Sequence, residues 1–295
     1  MILVTGATGH VGYHLMEDLA DARAIATGMV RIEAQAEDLP SGTQHVVATL
    51  DDPPGPEVLE HFDRIFLISP DREQQVELEI RFLDAVVAAG RNPHIVKVAA
   101  DGFQDPECHV RFMRNHREVA VHLEGTGLPV TYLAASPYME TLLAAADTIR
   151  REGLIPAPAG AGRVGFVAGS DVAGVAAHIL TGDGHEDRTY VVTGPEALGY
   201  ADVAARFSAV FGREVGYADI PAEEARTRML ADGADPWFAD GMLELFDWIR
   251  HGGADSVTPE VQKATGADPR RLEDWLSELR GAFVGHPDDA PPPSL

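Results

Sequence analysis

The chain begins Met1-Ile-Leu-Val-Thr-Gly-Ala-Thr-Gly-His-Val-Gly12, and this stretch decides the fold. Residues 2–4 are an apolar run typical of a buried strand, and glycines follow at every third position. Val11, Leu15 and Leu19 then recur every fourth residue, which predicts a helix with one apolar face. A strand, a glycine turn and a helix form a site for a dinucleotide pyrophosphate, because glycine admits the phosphates and the helix start offers free N–H groups. The spacing is G-x-x-G-x-x-G, so a glycine turn without a ligand is the alternative.

Composition and charge restrict the class of protein. A length of 295 residues, 45% of them hydrophobic, fits one large domain or a domain with a lobe. The formal net charge of −24 argues against nucleic-acid binding, because the phosphate backbone would repel such a surface. The single cysteine, Cys108, excludes an internal disulfide, and the first predicted strand leaves no room for a signal peptide. No apolar run approaches the roughly 18 residues of a membrane helix. We expect a cytoplasmic protein that binds neither nucleic acid nor a membrane.

Predicted strands and helices alternate through the first half of the chain. Further apolar runs predict strands at residues 24–30, 45–50, 63–70, 94–100 and 130–133. This alternation implies an α/β fold with a parallel sheet, right-handed crossovers and ligands beyond the carboxyl ends of the strands. The residues predicted to bind a cofactor there are Gly6, Thr8, Gly9, His10, Val11, Gly12, Arg31, Asp51, Ile68, Ser69, Pro70, Ala99, Ala100 and Pro137.

Arg31, directly after the second predicted strand, bears on which dinucleotide binds. Folds that bind NAD usually carry an acidic residue at this position, where it holds the ribose hydroxyls. A guanidinium instead grips a 2′-phosphate through its fork of donors. The residue therefore favours NADP over NAD. The alternative is an arginine that is merely solvated on a surface loop.

The order of these landmarks resembles the NmrA-like family of atypical short-chain dehydrogenases/reductases. The similarity runs from residue 1 to about 280. Its matching segments are Thr5-Gly-Ala-Thr-Gly-His-Val-Gly12, Val30-Arg31, Leu67-Ile-Ser-Pro70, His116-Arg-Glu118, Thr126-Gly-Leu-Pro-Val-Thr131, Tyr138-Met-Glu140, Ser170-Asp-Val-Ala173, Thr189-Tyr-Val-Val-Thr-Gly194, Val257-Thr-Pro259 and Thr265-Gly266. The resemblance implies a Rossmann-type, doubly wound parallel sheet with a smaller C-terminal α+β substrate lobe. It also implies NADP in the glycine turn and a substrate that is a quinone, another aromatic or a carbonyl compound.

The second half of the chain is less regular. Helices are predicted at residues 139–152, 172–180, 200–211, 221–231, 236–250 and 269–282, the second of them capped by Ser170-Asp171. We expect a nucleotide-binding domain over residues 1–150, a substrate lobe over 151–284 that interleaves with it, and a disordered tail over 285–295. An aromatic stripe between Trp237 and Trp248 is interpreted first as core packing and second as a wall of the substrate pocket.

The departures from the family pattern bear on mechanism. Typical short-chain reductases carry Tyr-x-x-x-Lys, whereas the corresponding place here reads Phe112-Met-Arg-Asn-His116. The serine usual at the end of strand five is replaced by Ala99. The remaining candidates for a proton donor are His116, Tyr138 and Asp101. Their alternatives are a histidine on a helix surface, an aromatic that lines a pocket and a solvated turn carboxylate. His10 and His14 have a spacing compatible with a metal, but no further ligand accompanies them, and no metal is expected.

Two functions follow as hypotheses. The first is an NADPH-dependent oxidoreductase acting on a quinone-like, aromatic or conjugated-carbonyl small molecule, including the reductive or coupling steps that tailor natural products. Such acceptors take up hydride readily, and they need orientation and exclusion of water more than a strong acid. The second is a non-catalytic NADP(H) redox sensor that binds a protein partner. Either protein is compatible with a homo-oligomer.

Overall fold

The computed structural model describes residues 1–284. In chain order its strands are β1 (Ile2–Val4), β2 (Ala26–Val30), β3 (Gln44–Val47), β4 (Arg64–Leu67), β5 (His94–Ala100), β6 (Val130–Ala135), β7 (Leu154–Ala157), β8 (Arg163–Val164), β9 (Arg188–Val192), β10 (Leu198–Gly199) and β11 (Gly216–Asp219). Its α-helices are α1 (His10–Asp21), α2 (Pro56–Leu59), α3 (Gln75–Ala88), α4 (Arg111–Thr126), α5 (Ala146–Glu152), α6 (Gly169–Thr181), α7 (Tyr200–Phe211), α8 (Ala222–Ala231), α9 (Pro236–Arg250), α10 (Glu260–Thr265), α11 (Leu272–Glu278) and α12 (Arg280–Val284). Two 3₁₀ helices cover Glu33–Asp38 and Met139–Ala145.

A seven-stranded parallel sheet in the order β3-β2-β1-β4-β5-β6-β9 forms the centre of the molecule. The strand order changes direction between β1 and β4, and at such a switch point the carboxyl ends of a parallel sheet open a crevice for ligands. The glycine turn, which joins β1 to α1, lies at this point. The predicted Rossmann-type α/β class is confirmed.

Helices cover both faces of this sheet. On one face α1 and α6 pack together through buried aliphatic side chains, among them Leu15, Leu19 and Ile179. On the other face α3 and α4 bury Phe82, Leu83 and Leu123. Because both faces are covered, β1 and β4 are almost wholly apolar, and this is why they are visible as apolar runs in the sequence.

A smaller α+β lobe follows the sheet. Its strands form two short pairs, β7 with β11 in parallel and β8 with β10 antiparallel. Its core is aromatic: the ring centroids of Phe207 and Phe283 lie 5.0 Å apart, and Trp275 and Phe211 also pack against Phe283. The division of the chain at residue 150 stays a prediction. The lobe does interleave with the sheet, because α6 and β9 return to the sheet after β7 and β8.

Some predicted element boundaries were wrong. Ser170-Asp171 is not an N-cap, because α6 begins at Gly169 with Ala168 as its cap residue, and the Asp171 carboxylate instead accepts a hydrogen bond from the Arg270 N–H at 2.8 Å. The predicted last helix is two helices, the first of which begins at Leu272. The predicted tail, 285–295, lies outside the described residues. Among the helices of residues 1–284, none has the length and apolarity to span a bilayer.

Candidate functional site

The glycine turn has the shape of a phosphate cradle. Gly6 adopts a left-handed conformation with φ +58°, which side chains disfavour. A Cβ on Gly12 would lie 2.1 Å from the Gly6 carbonyl oxygen, so the start of α1 packs directly on the turn. Gly9 is the cap residue of α1 and supplies no side-chain hydrogen bond, so the first N–H groups of the helix remain available to a ligand. These residues fit a dinucleotide pyrophosphate.

Thr5 ties the glycine turn to the end of β4. Its hydroxyl donates to the Ile68 carbonyl oxygen at 2.9 Å, and the Ile68 N–H donates back to the same hydroxyl at 2.9 Å. The segment 68–70 is thereby fixed beside Gly6, whose added Cβ would lie 2.7 Å from the Ile68 side chain. The structure thus brings the predicted cofactor residues of the first and fourth strands together, with Thr5 as the connecting residue that the sequence analysis missed.

Arg31 and Asp51 lie near the ends of β2 and β3. Arg31 is exposed, its backbone N–H donates to the Gln35 side chain at 3.0 Å, and within residues 1–284 its guanidinium makes no hydrogen bond or ion pair. A free guanidinium at this edge of the sheet fits the 2′-phosphate predicted for it. Asp51 is exposed as well, but its carboxylate pairs with Arg81 of α3.

At the other end of the crevice lie Ala99, Ala100, Asp101, Pro137 and Tyr138. The Tyr138 hydroxyl is buried without a hydrogen-bond partner in the described part of the chain. Burial, together with the charges of Asp71 and Glu140, raises its pKa above the usual 10.0, so the phenol keeps its proton. Asp101 donates its N–H to the Ala135 carbonyl oxygen at 2.8 Å, and burial raises the pKa of its carboxyl. An unpartnered hydroxyl here fits a polar group such as the nicotinamide amide.

His116 is buried, and the expectation of a surface histidine is wrong. Only 8% of its side chain is exposed, because it faces β5 from α4. Its Nδ1 lies 3.2 Å from the Lys97 Nζ, and its Nε2 lies 3.7 Å from an oxygen of Asp71. Burial and the charge of Lys97 hold the pKa of His116 well below its usual 6.5, so the imidazole is neutral near pH 7.

Lys97 and its partners form a buried polar cluster under the crevice. The Lys97 side chain is 1% exposed, and its Nζ lies 3.2 Å from an oxygen of Glu79, which is fully buried. Ser69 donates to the other Glu79 oxygen at 2.5 Å, and Gln75 lies 3.4 Å from that oxygen. The sequence analysis missed this cluster, although a lysine inside the apolar run 94–100 was a readable signal.

A cleft with a cavity volume of about 290 Å³ opens next to this cluster. Residues 71–74 form one wall, and the start of α9 forms the other, with Asp235, Trp237 and Phe238. Phe112 supports the aromatic wall, with its ring centroid 5.6 Å from Trp237 and 5.7 Å from Phe238. Farther along the helix, Leu245 and Trp248 of the same stripe pack into the core, whereas the role of the stripe as a wall of the substrate pocket stays a prediction.

A second cavity, of about 440 Å³, lies at the opposite edge of the sheet. It is lined by Met1, Thr27 and His45, which are at the amino ends of strands. Ligands of parallel sheets bind at the carboxyl ends, so this cavity does not belong to the cofactor crevice. In the described residues, no three His, Cys, Asp or Glu side chains are grouped as metal ligands.

Comparison with known proteins places this architecture among reductases. The profile of the NmrA-like family matches residues 1–276. The chain is 33% identical, over 96% of its length and 99% of the relative's, to a (4-alkanoyl-5-oxo-2,5-dihydrofuran-3-yl)methyl phosphate reductase from Streptomyces griseus. It is also 33% identical, again over 96% of its length and 99% of the relative's, to an NAD(P)H azoreductase from Xenophilus azovorans. Its fold matches that of an NADPH-dependent quinone oxidoreductase from Escherichia coli with a TM-score of 0.85, at 24% identity, over 95% of this chain and all of that one.

Proposed function

The chain belongs to the NmrA-like family, and from that membership we propose that it is an NADPH-dependent oxidoreductase that reduces a flat, conjugated small molecule. The substrate class comprises quinones, other aromatic acceptors such as azo compounds, and conjugated carbonyl compounds. Among these, a natural-product intermediate that is tailored by reduction is a suitable substrate.

The cofactor would bind along the carboxyl edge of the sheet. Gly6, Gly9 and Gly12 would admit the pyrophosphate, and Arg31 would bind the 2′-phosphate with its exposed guanidinium. The segments 68–70, 99–101 and 137–138 would hold the nicotinamide end. When bound, NADPH supplies the hydride.

The aromatic cleft is the single observation that carries the proposal. Trp237 and Phe238, backed by Phe112, give a flat ring an apolar surface beside the polar groups that follow β4. Three acidic residues (Asp71, Glu73 and Asp235) and one basic residue (Arg72) line the same cleft, and this excess of acidic groups would repel a phosphate. This charge favours an uncharged or cationic acceptor over a phosphorylated one such as the substrate in the name of the Streptomyces griseus relative.

The site works without the usual Tyr-x-x-x-Lys pair. Phe112 and His116 stand where that pair would be, and Ala99 supplies no hydroxyl. A conjugated acceptor tolerates this loss, because it delocalises the charge left by the hydride and needs mainly orientation and exclusion of water. His116, Tyr138 and Asp101 remain the sequence-based candidates for proton delivery, and the Tyr138 hydroxyl among them keeps its proton in a buried position without a partner in the described residues.

A reductase assay tests the proposal. We expect the purified protein to oxidise NADPH with at least one member of a panel of quinones, azo dyes and conjugated ketones, followed at the nicotinamide absorbance. Gly9→Val fills the cradle and should abolish both cofactor binding and turnover. Tight binding of NADPH without turnover of any acceptor would contradict a reductase and support the redox sensor instead.

A further inference from the structure

Glu79 and Lys97 form a buried ion pair, and neither residue has a role in the reductase reaction described above. The two side chains are 0% and 1% exposed, and Lys97 lies in the middle of β5 among apolar neighbours. Burying two charges costs free energy that their attraction only partly offsets, so such a pair seldom stabilises a fold. Buried charges next to a ligand crevice point instead to a role in the reaction.

The hydrogen bonds around Lys97 fix the tautomer of His116. An ammonium group can only donate, so the contact of 3.2 Å makes the His116 Nδ1 an acceptor. The neutral ring must then carry its proton on Nε2, the atom that lies 3.7 Å from Asp71. Glu79 holds the ammonium from the other side, and Ser69 and Gln75 in turn hold Glu79. A continuous chain of polar contacts therefore runs from the core to Asp71.

Asp71 is the last residue in this series of polar contacts, and it lines the cleft. Its side chain is 39% exposed, and it lines the cavity opposite Trp237 and Phe238. We propose that Asp71 is the acid that protonates the reduced substrate, and that Lys97 and Glu79, acting through His116, are positioning residues for it. This inference rests on the proposed reductase function and names the proton donor that the sequence analysis did not find.

A hydride from NADPH adds to the conjugated acceptor and leaves an electron pair on its oxygen or nitrogen. The O–H bond of Asp71 breaks, its proton bonds to that atom, and the carboxylate takes a new proton from solvent through its exposed face. The acceptor has then gained one hydride and one proton, and NADPH has been oxidised to NADP⁺.

Burial on the side that faces His116 keeps the Asp71 carboxyl partly protonated near neutral pH, although 39% of the side chain as a whole is exposed. Burial raises its pKa to about 6, the charge of Lys97 opposes that shift, and the charge of Glu79 adds to it. The titratable and charged groups that face it are His116 from α4, Tyr138 after β6, Arg72 and Glu73 from its own loop, and Asp235 at the start of α9. The protonated donor is lost as the pH rises through about 6.

The first test is the pH profile of single-turnover reduction. In the wild-type protein we expect the rate to fall as the pH rises through about 6. Asp71→Asn should remove this limb and lower the rate at acid pH by about 100-fold, the lower range of general-acid contributions. Asp84→Asn is the matched control, because Asp84 makes a similar contact between α3 and α4, 2.9 Å from His122, with a side chain that is 63% exposed. An unchanged pH profile in Asp71→Asn would overturn this inference and leave the reductase intact, whereas a wild-type protein that reduces no acceptor overturns both.

The second test needs no turnover. The ¹⁵N resonances of the His116 ring report which nitrogen carries the proton, and we expect Nε2 in the wild-type protein. Lys97→Met combined with Glu79→Gln removes the buried charges together, so that neither is left unpaired, and it should weaken this preference, because the Gln75 amide at 3.5 Å is then the remaining donor to Nδ1 in the described residues. A proton on Nδ1 in the wild-type protein would refute the proposal that Lys97 and Glu79 act on Asp71 through His116.

Discussion

At the scale of single residues, we propose that Arg31 determines the choice between the two nicotinamide dinucleotides. Its guanidinium is exposed at the end of β2, and no other described residue binds it. A guanidinium gains most from a doubly charged phosphate, which it binds through two parallel hydrogen bonds. The ribose of NAD has no such group, so Arg31 should contribute little to the binding of NAD.

We therefore expect Arg31→Ala to weaken NADPH binding by about 10- to 100-fold, since hydrogen bonds to charged groups contribute about 1.5–3 kcal/mol. Binding of NADH should change much less. Isothermal titration with both cofactors measures the difference. Arg91→Ala is the matched control, because Arg91 is an exposed arginine that pairs with Asp63 at the opposite edge of the sheet. Equal weakening of both cofactors by Arg31→Ala would show that the residue does not bind the 2′-phosphate.

Some residues of the candidate site were predictable from the sequence and others were not. The glycine turn was predictable because the constraint on Gly6 and Gly12 is local to a few neighbouring residues. The cluster of Glu79, Lys97 and His116 was not, because it depends on which sides of α3, β5 and α4 meet on one face of the sheet. Periodicity identifies an apolar helix face, but it does not say which polar residue of another element that face will meet.

At the scale of elements, α9 determines the shape of the cleft. The Asp235 carboxylate caps the helix by accepting hydrogen bonds from the N–H groups of Trp237 and Phe238, at 2.8 Å and 3.4 Å. The cap fixes the first turn, and with it the aromatic wall. Gly241, one turn later, lets α9 approach α4, because a Cβ there would lie 2.4 Å from the Phe112 ring.

Gly241→Ala should therefore push α9 away from Phe112. We expect it to lower the free energy of unfolding by about 1–3 kcal/mol, the range for overpacking a core, and to raise KM for the aromatic acceptor more than it lowers kcat. Urea denaturation and steady-state kinetics measure the two effects. Gly125→Ala in α4 is the matched control: its added Cβ would meet nothing within 4 Å, so it should leave the protein equally or slightly more stable. Equal effects of the two substitutions would contradict the close approach of α9.

The elements of the large sheet were more predictable than those of the lobe. β4 and β5 are apolar runs closed by turn residues, and each was placed nearly correctly from the sequence. β7 contains Pro156 and was missed inside a segment rich in glycine, alanine and proline. Its partner β11 lies 62 residues away by register, Leu154 with Gly216, and such long-range pairing leaves little trace in local composition.

At the scale of the whole molecule, the two edges of the sheet bear different titratable groups. The carboxyl edge holds Asp71 and the cofactor crevice. The amino edge holds a buried and a partly buried histidine: His94 lies 2.7 Å from the Thr131 hydroxyl, which donates to the carbonyl oxygen of the partly buried His185. Burial lowers the pKa of both His94 and His185 below the usual 6.5.

The family resemblance inferred from residues 5–12 and the later segments is confirmed by the match over residues 1–276.

His94 and His185 should make the fold sensitive to acid. The pKa values of His94 and His185 are lower in the folded state than in the unfolded chain, so below about pH 6.5 the unfolded chain binds more protons. The free energy of unfolding therefore falls as the pH drops from about 7. Each such proton contributes at most about 1.4 kcal/mol per pH unit. His94→Gln should keep a hydrogen bond to Thr131 and reduce the slope, costing less stability at about pH 5.5 than at about pH 8 in urea titrations. An identical loss at both pH values would contradict this origin of the acid sensitivity.

The position of β9 at the edge of the sheet has a consequence for biosynthesis. Ala134 and Ala135 of β6 pair with Val191 and Val192 of β9, and β7, β8 and α6 are synthesised before β9. The nucleotide-binding half cannot be completed while the nascent chain is shorter than about two thirds of its length. A gene cut near codon 150 would leave an open strand edge that invites pairing between copies, so the two halves are best expressed as one piece.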